Sequence, residues 1–492
     1  MLIGRVWFKS TNGSKIVLTF GFLGILGGRS LHKWAAFLYL RSMKIQITIP
    51  AQSIEVELEA VGTDPVIVDP PPPPVPTTGF KVGVNGFPWL PHRLLDSIGI
   101  KWVRCYMASG WAWRPGGLFI QPLFQAETEE AHGMDDYLTK AKSLGINVLL
   151  TCHQTPEWFR NTGRGDGNND FAPIEKGLPR DNPASYAEYA SFLFQVAARY
   201  GRVKHADSAL RVDTTPRWNG DVQNVKKSGL DLLTHLEAWN EEKWWKIGTP
   251  EQEAYFEPET MAALMSACYD GHEGRLGAGV GIKTADPSMI VVMPGLSDYA
   301  TDYETKMTAW FSANRTDKSW PCDIMNWHHY SNIGNKAGQY PAQWKESGAC
   351  LPKHDANFDT ILDRVRRSND IGKKVWLTEF GADRNAPSMM HSKGVGKTDA
   401  QFQAEIIIES IKAYKAAGVD AVFIFNGCDE NSGADGGQFE SCGLFTSQAD
   451  GYKPTPASEA LRAYLKPSQA AQRNIAKPSQ LPKISSGKRP IK

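Results

Sequence analysis

Between Gly79 and Lys466, short apolar stretches alternate eight times with segments of helical period, and no other feature limits the fold as tightly. The stretches are Val82–Asn85, Trp102–Tyr106, Asn147–Thr151, His235–Asn240, Ile290–Met293, Ile324–Trp327, Lys374–Thr378 and Ala421–Phe425. Their length and composition read as strands. Between them, Ser185–Tyr200 sets Tyr186, Tyr189, Phe192 and Val196 on one helical face, and Met261–Tyr269, Phe358–Arg366, Phe402–Ala416 and Ala457–Leu465 behave similarly. Gly145, Gly201 and Gly418 stand where such helices stop. Strand-then-helix repeated eight times predicts an α/β fold, a closed (β/α)8 TIM barrel over residues 79–466. A doubly wound sheet would carry a glycine-rich phosphate loop after its first strand, and Gly83-Val84-Asn85-Gly86 is not one.

In such a barrel, polar residues just past the C-terminal strand ends share one pocket. In order they are Arg104, His153, Asn240 with Glu241, His328 with His329 and Tyr330, Glu379, and Asn426. Glu241 and Glu379 each end an apolar strand. A carboxylate left unpaired there is poorly solvated, a cost that points to chemistry rather than to a surface ion pair. Two carboxylates facing each other across a barrel mouth are the equipment of glycoside hydrolysis: one protonates the leaving oxygen, the other attacks or stabilises the anomeric carbon. Asp323 and Asp383 read as structural carboxylates nearby, and Asp166-Gly-Asn168-Asn-Asp170 as a polar turn.

Trp239-Asn240-Glu241 resembles the Asn-Glu motif ending strand four of glycoside hydrolase clan A, and Thr378-Glu379-Phe380-Gly381 the nucleophile motif ending its strand seven. His328-His329-Tyr330 is similar to the clan's His-x-Tyr after strand six, and Trp102-Val103-Arg104 to its strand-two arginine. The resemblance covers Gly79 to about Leu465 and is closest in style to families 5 and 39. It implies a retaining enzyme with Glu379 as nucleophile and Glu241 as general acid/base. Asn240 would bind the sugar 2-hydroxyl, while Tyr330 and Arg104 would keep Glu379 ionised. Two positions depart from the pattern. Glu242 stands where relatives carry proline, its side chain expected to point away. The strand-eight tryptophan that floors the sugar is missing from Phe423-Ile424-Phe425-Asn426, leaving Phe425 or another aromatic to substitute.

The sixteen tryptophans suit sugar faces. Trp244 and Trp245, directly downstream of Glu241, and Trp158 are the chosen platforms; Trp89, Trp111 and Trp113 are further candidates. A formal charge of +1 gives no reason to expect nucleic acid as partner. A carbohydrate substrate, no metal or other cofactor, no membrane span and a monomer are expected. The competing readings are a non-catalytic carbohydrate-binding barrel and a metal-dependent barrel lyase or isomerase. The latter would want more ligand residues at metal spacing than His328-His329.

Outside the barrel, Arg5, Lys9 and Lys15 precede an apolar run, Ile16 to Leu26, the length of a leader's hydrophobic segment. Residues 1–42 therefore read as a leader that takes the protein out of the cytoplasm, or as the product of a misassigned start ahead of Met43. Residues 43–69 alternate as a short β appendage, 70–78 form a proline-rich linker, and 467–492 a basic tail lacking anything to bury. Seven cysteines without metal spacing leave Cys322 with Cys350, or Cys428 with Cys442, as pairs open to an oxidising compartment.

Overall fold

The computed structural model describes residues 79–86, 90–120, 133–161, 172–242, 256–297, 302–332, 349–384, 396–430 and 439–465, together with four strands nearer the N-terminus. The linker, the tail, Asp166–Asp170, Trp89, Trp244 and Trp245 lie outside the described residues. The chain divides into two compact units, Met1–Pro72 and Pro73–Lys492.

The first unit contains two antiparallel hairpins. Leu2–Lys9 pairs with Lys15–Phe22, so most of the apolar run read as a leader segment is a paired strand. Met43–Ile49 pairs with Gln52–Leu58, as the alternation there predicts.

The second unit is the barrel. Its strands are β1 (Lys81–Gly86), β2 (Trp102–Ala108), β3 (Asn147–His153), β4 (His235–Glu237), β5 (Ile290–Val292), β6 (Ile324–His328), β7 (Lys374–Phe380) and β8 (Ala421–Ile424). All pair in parallel and close in sequence order, β8 onto β1. One main helix follows each strand: α1 (His92–Ile98), α2 (Met134–Ser143), α3 (Ala187–Tyr200), α4 (Pro258–Asp270), α5 (Tyr303–Asn314), α6 (Phe358–Asp370), α7 (Asp399–Ala417) and α8 (Pro456–Leu465). This is the (β/α)8 TIM barrel. Among the described residues no helix is long and apolar enough to cross a membrane.

Period-two alternation gives each strand an outward and an inward row. Outward residues such as Val103, Cys105, Val148, Leu150, Met325, Leu377 and Val422 belong to the large core shared with the helices. Inward residues at the strand starts, Trp102, Leu149, Val292, Ile324, Trp376, Ala421 and Phe423, form a separate apolar plug inside the barrel. His235 stacks on Trp376 within it, ring centroids 5.1 Å apart. Two residues further along the same strands the interior turns polar, with Asn85, Arg104, Thr151, Glu237, Asn326 and Thr378 all fully buried.

Of the three glycines expected at helix ends, Gly145 and Gly418 adopt left-handed φ of 65° and 90°. Gly201 has an ordinary φ of −74°. It is needed for space: a Cβ there would lie 2.4 Å from Asp286 Oδ2 and 2.6 Å from Ala197 O. Cys322, Cys428 and Cys442 are free thiols, so neither candidate disulfide is made. Asp323 lies at the opposite barrel end from the strand termini that form the pocket. It precedes β6, accepts from the Val291 N–H at 2.8 Å and pairs with Lys283.

Candidate active site

The polar row leads directly to the site. Arg104 on β2 points inward, and its guanidinium is shared by acceptors from four strand regions. Nε donates to Glu237 Oε2 at 2.6 Å, Nη1 to Asn85 Oδ1 at 3.0 Å and to Glu379 Oε1 at 2.6 Å, and Nη2 to Asn240 Oδ1 at 2.6 Å. Nη1 also reaches the Tyr106 hydroxyl. Glu237 is saturated in turn. Its Oε2 accepts from Thr151 Oγ1 at 2.6 Å, and its Oε1 from the Gly295 N–H and Asn326 Nδ2, both at 3.0 Å. A buried guanidinium and carboxylate are tolerable only when hydrogen-bonded this completely.

Glu379 reaches the cavity through an irregularity in β7. Trp327 pairs with Leu377 but His328 pairs with Glu379, so Thr378 is an extra residue in the register. Strict alternation from inward-facing Trp376 would turn Thr378 in and Glu379 out; the bulge lets both face the interior. The Glu379 carboxylate then accepts from Tyr106 Oη at 2.5 Å and Arg104 Nη1 on Oε1, and from Tyr330 Oη at 3.0 Å on Oε2. Burial alone would raise its pKa. The His328 ring and the Arg104 guanidinium, with the hydrogen bonds from Tyr106 and Arg104, outweigh it and hold the carboxyl below the ordinary range.

Glu241, after β4, is held otherwise. Its backbone is left-handed at φ 58°, a strained conformation for a residue with a side chain. Its Oε1 lies 2.6 Å from His328 Nδ1, which is 3.6 Å from Glu379 Oε2. One carboxylate oxygen from each glutamate and the His328 ring nitrogen all lie within 4.8 Å of one another. Burial lowers the His328 pKa. Glu242 turns elsewhere, accepting from Ser297 N–H at 2.8 Å and Ser297 Oγ at 2.7 Å. This neighbouring charge anchors the loop after β5 rather than joining Glu241.

The remaining sequence candidates separate. His153 packs edge-on against Tyr106 at 5.2 Å, and its pKa falls to about 3 through burial and then Arg104. Asn426 is buried, its Oδ1 accepting from the Gly427 N–H at 2.6 Å. Trp158 is part-buried and donates to Trp113 O at 2.6 Å, while Trp113 itself is core. Trp111 stands 61% exposed just after β2. Phe425 meets Tyr330 edge-on at 6.4 Å and Phe439 at 5.9 Å, forming an aromatic group beside Glu379. His329 faces the helices, toward Tyr414 and Asp355, and Asp383 accepts from Ser441 Oγ.

Sequence reasoning missed Tyr106 and Glu237. Both were within reach of period two: once Arg104 is inward, so is Tyr106, and Glu237 is the inward residue of β4.

Two carboxylates this close, one held ionised by a cation and hydroxyl donors and the other against an imidazole, can act as nucleophile and proton carrier. Glu241, His328 and Glu379 are also the one group among the described residues close enough to share a metal ion. Arg104, however, already sets a fixed cation against Glu379. The 2.6 Å contact between His328 and Glu241 is shorter than the separation of about 3.3 Å that two ligands of one zinc ion would keep.

No family model matches the chain, and no curated protein does. Among solved structures it is similar to a family 39 glycoside hydrolase from the gut symbiont Bacteroides cellulosilyticus WH2, at 14% identity over 86% of this chain and 69% of that one, TM-score 0.47. An endo-β-1,4-mannanase from Thermotoga petrophila matches at 16% identity over 79% and 76%, TM-score 0.44. An endocellulase from Pyrococcus horikoshii matches at 14% over 78% and 92%, TM-score 0.42. The barrel stands on its own strand order and pairing.

Proposed function

We propose that this chain is a retaining β-glycoside hydrolase acting on the O-glycosidic bonds of a plant or microbial polysaccharide or oligosaccharide. The observation that carries this reading is the approach of Glu241 and Glu379 oxygens within 4.8 Å in unlike environments. Retaining enzymes hold their carboxyl groups about 5–5.5 Å apart, whereas inverting ones leave about 6.5–9.5 Å for a water.

Glu379 attacks the anomeric carbon as Glu241 delivers its proton to the departing oxygen, and a covalent glycosyl-enzyme forms. Glu241, now a carboxylate, takes a proton from water as that water displaces Glu379. Arg104, Tyr106 and Tyr330 orient Glu379 and keep it ionised. Asn240, whose carboxamide oxygen is taken by Arg104, has its amino end available to the sugar 2-hydroxyl. His153, Asn426 and Trp158 border the bound sugar, with Trp244 and Trp245 as platforms beyond it. We further propose that the protein works as a monomer, and that it works outside the cytoplasm, the latter supported by the basic and apolar N-terminal sequence.

Aryl β-glycosides test this. Glu379→Ala should abolish turnover while leaving a folded protein. Glu241→Ala should lose activity on poor leaving groups, keep it on activated ones, and regain rate with azide. Full activity in both variants combined with chelator sensitivity would instead support the metal-dependent barrel enzyme.

A further inference from the structure

The interior row beneath the two glutamates contains a chain of hydrogen bonds whose direction can be worked out atom by atom. It begins at Asn326, buried on β6. The Thr378 N–H donates to Asn326 Oδ1 at 3.1 Å, while Asn326 Nδ2 faces Glu237 Oε1 at 3.0 Å and Met293 O at 3.1 Å. A backbone donor on one side and two pure acceptors on the other leave one orientation for the amide. Asn326 Nδ2 also lies 2.7 Å from Thr378 Oγ1, and an amide nitrogen accepts no hydrogen bond, so the hydroxyl proton is not directed there. The other partner of Thr378 Oγ1 among the described residues is His328 Nε2 at 3.1 Å. The hydroxyl proton therefore goes to Nε2.

We infer that Thr378, set by Asn326, is a positioning residue that fixes His328 as the tautomer protonated on Nδ1, and thereby confines the acid proton of Glu241 to Oε2. With Nε2 occupied as an acceptor, the neutral ring carries its hydrogen on Nδ1, 2.6 Å from Glu241 Oε1. That oxygen becomes the acceptor of the carboxyl group, and its proton resides on the oxygen turned away from His328. The opposite tautomer would offer a bare Nδ1 to Glu241 and draw its proton into an internal bond, away from the leaving group. The ring cannot escape by sliding toward β5. Gly295 packs so closely that a Cβ there would lie 2.0 Å from His328 Nε2, and its N–H is bound to Glu237. Thr378 faces inward by ordinary alternation from Trp376, and the bulge brings Glu379 into the cavity beside it.

This inference rests on Glu241 being the general acid, and its test keeps the two ideas apart. Rates would be measured for wild type, Thr378→Val and Thr378→Ser on aryl β-glycosides of graded leaving-group acidity. Thr378→Val should lose about 100-fold on poor leaving groups, the low end of what general acid catalysis contributes, and little on dinitrophenyl glycosides. Thr378→Ser should restore the wild-type pattern. A loss in Thr378→Val that is uniform across leaving groups, or no loss, overturns the inference. Nitrogen-15 spectra of wild type, with the His328 signals identified against His328→Asn, give a readout independent of hydrolysis. Hydrogen on Nδ1 is expected, and hydrogen on Nε2 overturns the inference. A wild type that hydrolyses no glycoside would defeat the proposed function, while the tautomer measurement would still decide the position of the proton.

Discussion

The inside of this barrel is two materials stacked on one another. At the strand starts Trp102, Leu149, Val292, Ile324, Trp376 and Phe423 fill the interior with apolar surface. Two residues along the same strands, Asn85, Arg104, Thr151, Glu237, Asn326 and Thr378 fill it with hydrogen bonds. Both layers are equally closed to solvent, so burial does not distinguish them. The lower layer draws stability from area removed from water and needs only shape. The upper layer gains little net stability per bond, but its polar side chains are hydrogen-bonded to one another, which fixes atoms in place. The barrel thus puts its stabilising layer beneath its orienting layer.

Substitutions in the two layers should separate these roles. The largest effect belongs to the upper end: Glu379→Ala should reduce kcat/KM by at least about 10⁴-fold, in line with the loss of a covalent nucleophile, with the melting temperature little changed. Trp376→Ala, in the lower layer, should do the reverse. Denaturant unfolding should show a loss of about 3–5 kcal/mol, with activity per folded molecule of the same order as wild type. A lower-layer variant that abolished activity without destabilising the fold would break the distinction.

Smaller effects sharpen it. Tyr106→Phe removes one donor to a charged oxygen and should cost about 1.5–3 kcal/mol of transition-state stabilisation. Glu379 must be ionised, and its pKa is held low. Activity therefore persists through the ordinary carboxylate range and falls only as pH drops through that lowered value. Tyr106→Phe, a variant without that donor, should move this acid limb upward in a pH profile of kcat/KM. In the lower layer burial, then Lys81, Lys374 and Lys283, lowers the His235 pKa to about 3. The unfolded chain binds a proton there near pH 6.5 and the folded one does not, so stability is lost as pH falls below 6.5. The slope is about 1.4 kcal/mol per pH unit for this group. His235→Gln should flatten that part of the stability curve by the same slope.

The contrast also explains what could be read from the sequence. Strand and helix positions were legible because outward rows such as Val103, Cys105 and Met107 alternate cleanly, and helices such as α2 and α7 stop at glycine. Glu241, Glu379 and Tyr330 were legible because polar residues ending apolar strands stand out, and Arg104 because a lone cation interrupts an apolar strand. Tyr106 and Glu237 were hidden by ordinary contexts, although the period-two rule reaches Tyr106 from Arg104 on β2 and Glu237 on β4. The bulge at Thr378 could not be read at all. Val-Trp-Leu-Thr-Glu-Phe alternates without a break, and only pairing with β6 and β8 shows the shifted register. The left-handed turn at Glu241 is equally silent, since no glycine or asparagine marks it. The Gly201 expectation was right in position and wrong in reason, because the demand comes from Asp286, distant in sequence.

The central claim is that Glu379 forms a covalent bond to the sugar. Incubation with a 2-fluoro glycoside, which slows breakdown of such an intermediate, followed by digestion and mass analysis, examines that bond itself. A single sugar adduct on the peptide containing Glu379, absent after Glu379→Ala, is expected. An adduct on another residue, or products of inverted anomeric configuration with no adduct formed, would contradict it.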